Sequence, residues 1–441
     1  MNDSTKAYLL LANGKVFEGR SLGATGCIIG EAVFTTGMNG YIETLTDPSY
    51  YGQIVTQTFP LIGNYGIIPK DFESGRCHVR GYIVKESCDS PSNFRCGGTL
   101  DAFLKQQHVV GLCGIDTRAL TKVLREAGVM NAMLISGSGA EAQEACAALA
   151  EPAKKEQLLE RIRAFRIEHA VESVTGSASA VEESADTVFK ECAAYRFVPV
   201  QSDGTKQNDQ AAAMRDGKGK TVVLWDFGAK ANIRRELLKR GLTVITMPGT
   251  ASAAQILSLH PDGLMLSNGP GDPQDNVQVI AELKTLIQSG IPIFGICLGH
   301  QLLALAMGAQ TEKLKYGHRG ANQPVKNLAS GRVYITSQNH GYAVRNETIP
   351  DGAQLSFVNT NDGTCEGITY TSIPAFSVQF HPEACSGPLD TSFLFDDFVH
   401  LINNRSFLKA FHTEFERIDA VKFFASTIRS TKKNRGTAVS S

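Results

Sequence analysis

Thr221-Val-Val-Leu-Trp-Asp-Phe227, Leu242-Thr-Val-Ile-Thr-Met247, Gly263-Leu-Met-Leu-Ser267 and Ile291-Pro-Ile-Phe294 are four short apolar runs in the second half of the chain. Between them lie amphipathic segments near Asn232 to Arg240, Ser252 to Leu259 and Val277 to Gln288. Apolar runs too short for helices, alternating with helical periodicity, predict an open and mainly parallel sheet with helices on both faces. In such sheets the functional residues stand just past the carboxyl ends of the strands, so those positions are read first.

After the strand at Ile291 comes Gly295-Ile-Cys297-Leu-Gly299-His-Gln301, followed by the helix-compatible Leu302-Leu-Ala-Leu-Ala-Met307. Glycines two before and two after Cys297 permit a cramped strand-to-helix turn that lifts the side chain off the sheet edge. A thiol at a helix N-terminus also has its thiolate favoured by the backbone dipoles. Ser377-Val-Gln-Phe-His381-Pro-Glu383 likewise follows a strand, and supplies a histidine with a carboxylate to orient it. The third loop, Asp262-Gly-Leu-Met-Leu-Ser267-Asn-Gly269-Pro-Gly271-Asp-Pro273, offers backbone N–H groups for a tetrahedral oxyanion; Gly269, Gly271 and the N–H of Leu298 are the candidates.

Each motif has a plainer reading. Gly295-x-Cys297-x-Gly299 alone could be a buried thiol between packing glycines, and the proline–glycine loop could be only a turn. Two other histidines compete with His381. His300 would orient the turn or contact solvent, and His340, in Ser337-Gln-Asn339-His-Gly341-Tyr342, belongs to a polar loop that could line a pocket. Their combination on strand ends favours Cys297, His381 and Glu383.

The first half differs in composition. From Ala7 to about Asn131 it is rich in Gly, Thr, Tyr and β-branched residues, with strand-like runs such as Gln53-Ile-Val-Thr-Gln-Thr-Phe59, and reads as a β-rich α/β domain. Asp116 to Gly128 predicts a helix, with Asp116 as cap, Leu120, Val123 and Leu124 as the buried face and Gly128 as terminator. From Gly139 to about Ala170 one or two surface helices are expected, with Leu158, Leu159, Ile162 and Phe165 inward. The expected boundaries are 1–172 for this domain, 173–218 for a Ser-, Ala- and Asp-rich linker, 219–407 for the parallel-sheet domain and 408–441 for a polar tail. The sheet should turn antiparallel after Tyr334 and end at Pro374-Ala-Phe-Ser-Val-Gln-Phe380, with a helix near Asp390 to Ile402.

Bulk properties exclude several classes. The chain has 441 residues, 42% hydrophobic and 20% charged, with 43 Lys and Arg against 44 Asp and Glu, so neither nucleic acid nor an anionic membrane is expected as partner. No apolar run approaches the roughly 20 residues of a membrane span, and the N-terminus has no signal or transit pattern, so a cytoplasmic location is expected. The 10 cysteines include no C-x-x-C, no metal-ligand cluster stands out, and none is expected on this chain.

Gly-Ile-Cys297-Leu-Gly-His-Gln with His381-Pro-Glu383 resembles the triad glutamine amidotransferases. That resemblance implies a flavodoxin-like second domain in which Cys297 attacks the glutamine carboxamide, His381 moves the proton and Glu383 orients His381. Gly37-Met-Asn-Gly40-Tyr-Ile-Glu-Thr-Leu-Thr46-Asp-Pro-Ser49-Tyr50, Gly63-Asn-Tyr-Gly66, Gly114-Ile-Asp-Thr-Arg118 and Tyr316-Gly-His-Arg-Gly-Ala-Asn-Gln-Pro-Val325 are similar to the small subunits of carbamoyl phosphate synthetase. By that resemblance L-glutamine is held by Ser49, Gly269, Gly271, Leu298, Gln301, Asn339, Gly341 and Tyr342, the last commonly Phe in the family. It also implies that the partner is a large synthetase subunit, with ATP and magnesium used on that partner, no cofactor here, and a product serving arginine and pyrimidine synthesis. An amidotransferase for another acceptor, or a regulatory module with an inert site, are the alternatives.

Overall fold

The computed structural model describes residues 5–137, 139–176, 180–182, 217–384 and 386–404. In the first domain the strands are β1 (Lys6–Leu11), β2 (Val16–Gly23), β3 (Gly26–Thr35), β4 (Gln53–Gln57), β5 (Leu61–Ile62), β6 (Gly81–Val84), β7 (Glu86–Ser87), β8 (Val110–Cys113) and β9 (Met130–Ser136). All but the small β5–β7 pair close into a barrel in the order β1-β2-β8-β6-β4-β3-β9. Closure leaves no sheet edge unpaired. Alternation along the strands explains why apolar residues fall on both faces: Leu9 and Leu11 point into one core with Ile54, Ile83 and Leu134, whereas Leu10 joins Met133 and Ile135 in another.

The second of these cores is covered by the helices Ala140–Ala150 and Pro152–Ala164, through Leu158, Leu159 and Ile162 as expected. Phe165 departs from the expectation: it lies just past the helix end and lines a cavity. The helix Thr117–Ala127 begins where Asp116 Oδ1 accepts from Ala119 N at 2.9 Å, buries Leu120 and Leu124, and ends at Gly128, whose φ of 92° suits glycine.

The second domain contains β10 (Ala180–Glu182), β11 (Thr221–Asp226), β12 (Thr243–Pro248), β13 (Gly263–Leu266), β14 (Ile293–Ile296), β15 (Thr311–Asn327), β16 (Val333–Val344), β17 (Ala353–Asn359), β18 (Cys365–Tyr370) and β19 (Ala375–Val378). They form one 10-stranded sheet in the order β10-β12-β11-β13-β14-β19-β18-β17-β15-β16. Strands β12, β11, β13, β14 and β19 are parallel, and the rest join antiparallel. Val223 and Trp225 of β11 face one core with Ile256, Leu283 and Leu302, while Val222 and Leu224 face the other with Ile233, Leu237 and Phe398. Helices on both sides are therefore required to cover a strand that is apolar on both faces.

Two expectations change. The antiparallel part begins at Thr311 rather than after Tyr334, because β15, with three Lys, two Gly and two Asn among its 17 residues, lacks the apolar alternation that marks a strand. Ser337 to Tyr342, expected as a loop, lies inside β16. Within the expected linker, residues 180–182 form β10 on the edge of the sheet, and Thr175 is tied down by a hydrogen bond from its Oγ1 to Asp226 O at 2.6 Å. Residues 177–179 and 183–216 of that linker, and the tail 408–441, lie outside the described residues. Among the described residues no helix is long and apolar enough to cross a membrane.

Candidate functional site

Because β11, β13, β14 and β19 are parallel neighbours, their carboxyl ends deliver Lys230, Gly269, Cys297 and His381 to one end of the sheet. Cys297 follows β14 and precedes the helix Leu298–Ala306, with φ 54° and ψ −103°, a positive-φ conformation rare for a residue with a side chain. The flanking glycines are required: a Cβ on Gly299 would lie 2.5 Å from Leu266 O, and one on Gly295 2.8 Å from Gly299 O. Cys297 N donates to Val378 O at 2.9 Å, which fixes the elbow against the strand that leads to His381.

His381 and Glu383 are both buried, and His381 Nδ1 meets Glu383 Oε1 at 2.7 Å. Burial and Lys230 both oppose a charged imidazole, but the Glu383 carboxylate and the nearby Cys297 sulfur outweigh them and push His381 up to about 9. Burial acts the other way on Glu383, yet His381 and Lys230 hold its carboxyl down to about 2. With Nδ1–H given to Glu383, Nε2 is the nitrogen left for the sulfur. The thiol itself donates to Asn339 O at 3.8 Å.

In front of Cys297 is a cavity of about 550 Å³ lined by Ser49, Gly269, Gly271, Gln301, Asn339, Gly341 and Tyr342. Every glutamine-contact candidate thus lines it except Leu298, whose side chain packs in the core and whose position in the first helical turn leaves its backbone N–H as its contribution. Gly269 admits no Cβ, which would sit 2.3 Å from Phe227 O. Gln301 Nε2 donates to Tyr342 O at 2.8 Å and to Gln379 Oε1 at 2.9 Å, which ties the nucleophile's helix to β16. Ser49 comes from the barrel and accepts from Asn268 Nδ2 at 2.9 Å, so both domains build the cavity.

The rival histidines have other partners. His300 is fully buried, with Nδ1 2.8 Å from Ser377 Oγ, and burial pushes it down to about 3; it orients the turn and does not reach solvent. His340 lines the cavity, its Nδ1 2.8 Å from Tyr342 O, and burial holds it well below the usual imidazole range. Its neighbour His318 lies between Asp362 at 2.8 Å and Glu366 at 3.3 Å. His318, His340 and Glu366 are the one group among the described residues whose ligand atoms converge as for a metal, within 4.8 Å of one another, and His318 is ion-paired with both Asp362 and Glu366.

A buried charge cluster behind the triad escaped the sequence reading. Lys230 Nζ lies 3.4 Å from Glu383 Oε1 and 3.7 Å from Asp47 Oδ2. Asp47 also accepts from Ser49 N at 2.9 Å and from Asn339 Nδ2 at 3.1 Å. Glu73, also from the barrel, accepts from Asn232 N and Nδ2 at 3.2 and 3.0 Å. The one available signal was position, since Lys230 stands four residues past the carboxyl end of β11.

Comparison with known proteins adds two family matches. Residues 223–401 match the family Glutamine amidotransferase class-I, and residues 9–134 match Carbamoyl-phosphate synthase small chain, CPSase domain. The chain is 45% identical over 394 residues to a carbamoyl phosphate synthase small chain of Clostridium perfringens, covering 89% of this chain and 99% of that one. It is 46% identical over 395 residues to a protein of the same description from Symbiobacterium thermophilum, covering 89% and 98%. Among solved structures, a glutamine amidotransferase of Thermotoga maritima aligns with TM-score 0.32 at 17% identity, over 45% of this chain and 85% of that one.

Proposed function

The chain belongs to the family of carbamoyl phosphate synthase small chains, with a class-I glutamine amidotransferase domain, and from that premise we propose how its site works. As the glutaminase subunit of carbamoyl phosphate synthetase it hydrolyses glutamine to glutamate and ammonia. In our reading the Cys297 thiolate attacks the side-chain carboxamide carbon, and the oxyanion formed is held by backbone N–H groups of Leu298 and the Gly269–Gly271 loop. The C–N bond then breaks as the His381 imidazolium gives its proton to the departing nitrogen, leaving a thioester and a neutral imidazole. Water attacks the thioester, His381 takes its proton, and collapse releases glutamate and restores the thiolate–imidazolium pair. Glu383 keeps the ring oriented throughout.

The ammonia passes to a large synthetase subunit, which uses bicarbonate and ATP with magnesium to make carbamoyl phosphate for arginine and pyrimidine synthesis in the cytoplasm. Supporting this are the small-chain descriptions carried by relatives of nearly the same length. The observation that carries the chemistry is the buried His381–Glu383 pair at 2.7 Å beside a thiol on a strand-to-helix elbow facing the cavity.

The test assays the chain assembled with its large subunit, with glutamine or free ammonia as nitrogen source. Cys297→Ser is expected to lower glutamine-dependent synthesis at least about 10³-fold while ammonia-dependent synthesis continues. Persistent glutamine-dependent synthesis removes Cys297 from the nucleophile's role. Failure of any large synthetase chain to couple with this one removes its assignment to that assembly.

A further inference from the structure

Lys230 occupies the position immediately before the helix Ala231–Lys239, where Ser, Thr, Asp or Asn is usual, and its side chain makes no capping bond. A cation there sits at the positive end of the helix dipole, an unfavourable place for it. The exposed N–H groups of that helix are instead satisfied from the other domain: Ala231 N donates to Glu73 O at 2.8 Å and Asn232 N to Glu73 Oε2 at 3.2 Å. Lys230 is also buried, and a buried ammonium is retained only when carboxylates compensate it. Those carboxylates are Asp47 and Glu73 of the barrel and Glu383 of the triad.

We propose that Lys230 is a positioning residue for the catalytic pair: held by the barrel's Asp47 and Glu73, it fixes Glu383 and sets the charge felt by His381 and Cys297. The barrel thereby becomes part of the machinery of hydrolysis and not only a docking domain. Three observations agree. The ammonium contacts Glu383 Oε1, the same oxygen that binds His381 Nδ1, so it competes for that carboxylate's charge. Its backbone is pinned, with Lys230 N donating to Asn268 Oδ1 at 3.0 Å, and Asn268 in turn bonded to Ser49. It is absent from the wall of the cavity, so its influence on the reaction runs through Glu383, His381 and Cys297.

The sign of the effect follows from charge alone. A buried cation favours the thiolate and disfavours the imidazolium, so removing it makes the Cys297 thiolate harder to form and the His381 imidazolium easier to keep. The other titratable and charged groups facing the pair are Asp47 and Glu73 from the barrel, Glu383 beside His381, and Arg319 and His340 from the β15–β16 hairpin. None of these is changed in the Lys230→Met variant. Removing Asp47 instead leaves more of the ammonium's charge acting on the pair, with the opposite sign.

The inference rests on the glutaminase reading of Cys297, and its test separates the two. Glutamate release by the full chain with its large subunit is followed against pH for the native protein, Lys230→Met, Lys230→Arg, Asp47→Asn and Cys297→Ser. Lys230→Met is expected to move both limbs of the kcat/KM profile up by about one pH unit, and to lower kcat more than it changes KM. Asp47→Asn is expected to move both limbs down, and Lys230→Arg to restore the native profile. The pH dependence of Cys297 alkylation by iodoacetamide, taken as the difference from the Cys297→Ser chain, reads the thiol without turnover and should shift in the same directions. A lowered plateau with unmoved limbs, or shifts of the same sign in Lys230→Met and Asp47→Asn, overturns the proposal. If Lys230→Met does not fold, a native profile for Lys230→Arg together with lowered limbs for Asp47→Asn still supports the proposal, and unmoved limbs in Asp47→Asn overturn it. Undiminished glutamate release by Cys297→Ser would instead sink the glutaminase reading.

Discussion

The barrel and the open sheet contribute to the same cavity by opposite routes. In the sheet, four adjacent parallel strands end at one edge, so Lys230, Gly269, Cys297 and His381 are brought together by the topology of one domain. The barrel also has four adjacent parallel strands, β8, β6, β4 and β3, but none of its contributions stands within four residues of their carboxyl ends. Its contributions, Asp47, Ser49 and Glu73, come from segments between strands and matter only where they meet the other domain. The sheet therefore supplies the nucleophile and base, and the barrel supplies counter-charges and part of the substrate wall. Losses on the two sides should differ in kind.

The largest effect is expected on the sheet side. His381→Asn should lower kcat for glutamine hydrolysis by about 10³–10⁴-fold while leaving glutamine binding, measured by calorimetry, close to native. A comparable loss of binding would mean that the triad and the cavity are not separable in this way.

Glu73→Ala should show the barrel's contribution as stability. It removes the acceptor of both Asn232 bonds and leaves buried donors unsatisfied, so denaturant titration should show a loss of about 2–3 kcal/mol. Its effect on kcat should stay far below that of His381→Asn. An equal loss of kcat with unchanged stability would reverse the assignment and make Glu73 a member of the reaction itself.

The smallest effect belongs to the His318 pair behind the cavity. Burial opposes the charged form, but Asp362 and Glu366 push His318 up to about 9, above its ordinary 6.5. A raised histidine contributes stability that is complete below pH 6.5 and is lost as pH rises through about 9. Thermal unfolding of His318→Asn should therefore lie about 1–2 kcal/mol below native at pH 6.5, with the gap closing towards pH 10. A gap independent of pH would show that packing, and not the ion pair, holds the hairpin.

The elbow was legible because its reasons are local. Gly295 and Gly299 are dictated by backbone approaches within a few residues or to the adjoining strand, and the alternation of apolar strand and amphipathic helix is written directly in the chain. The helix Thr117–Ala127 was legible for the same reason, since Asp116 and Gly128 act on its own ends. β15 was not, because polar residues at strand positions carry no period when the partners that accept them are far away in sequence.

By itself, then, the sequence determined two domains of different texture, the order of strands and helices in the second, and a cysteine, histidine and carboxylate standing after strands. Only the tertiary structure decided that the barrel closes, that β14 and β19 are neighbours, and that Lys230 lies between Asp47 and Glu383. Periodicity and turn chemistry act over a few residues and leave a trace in the order of amino acids. The partner of a buried charge is chosen by the packing of distant segments, and one chain read from end to end has no term for that distance.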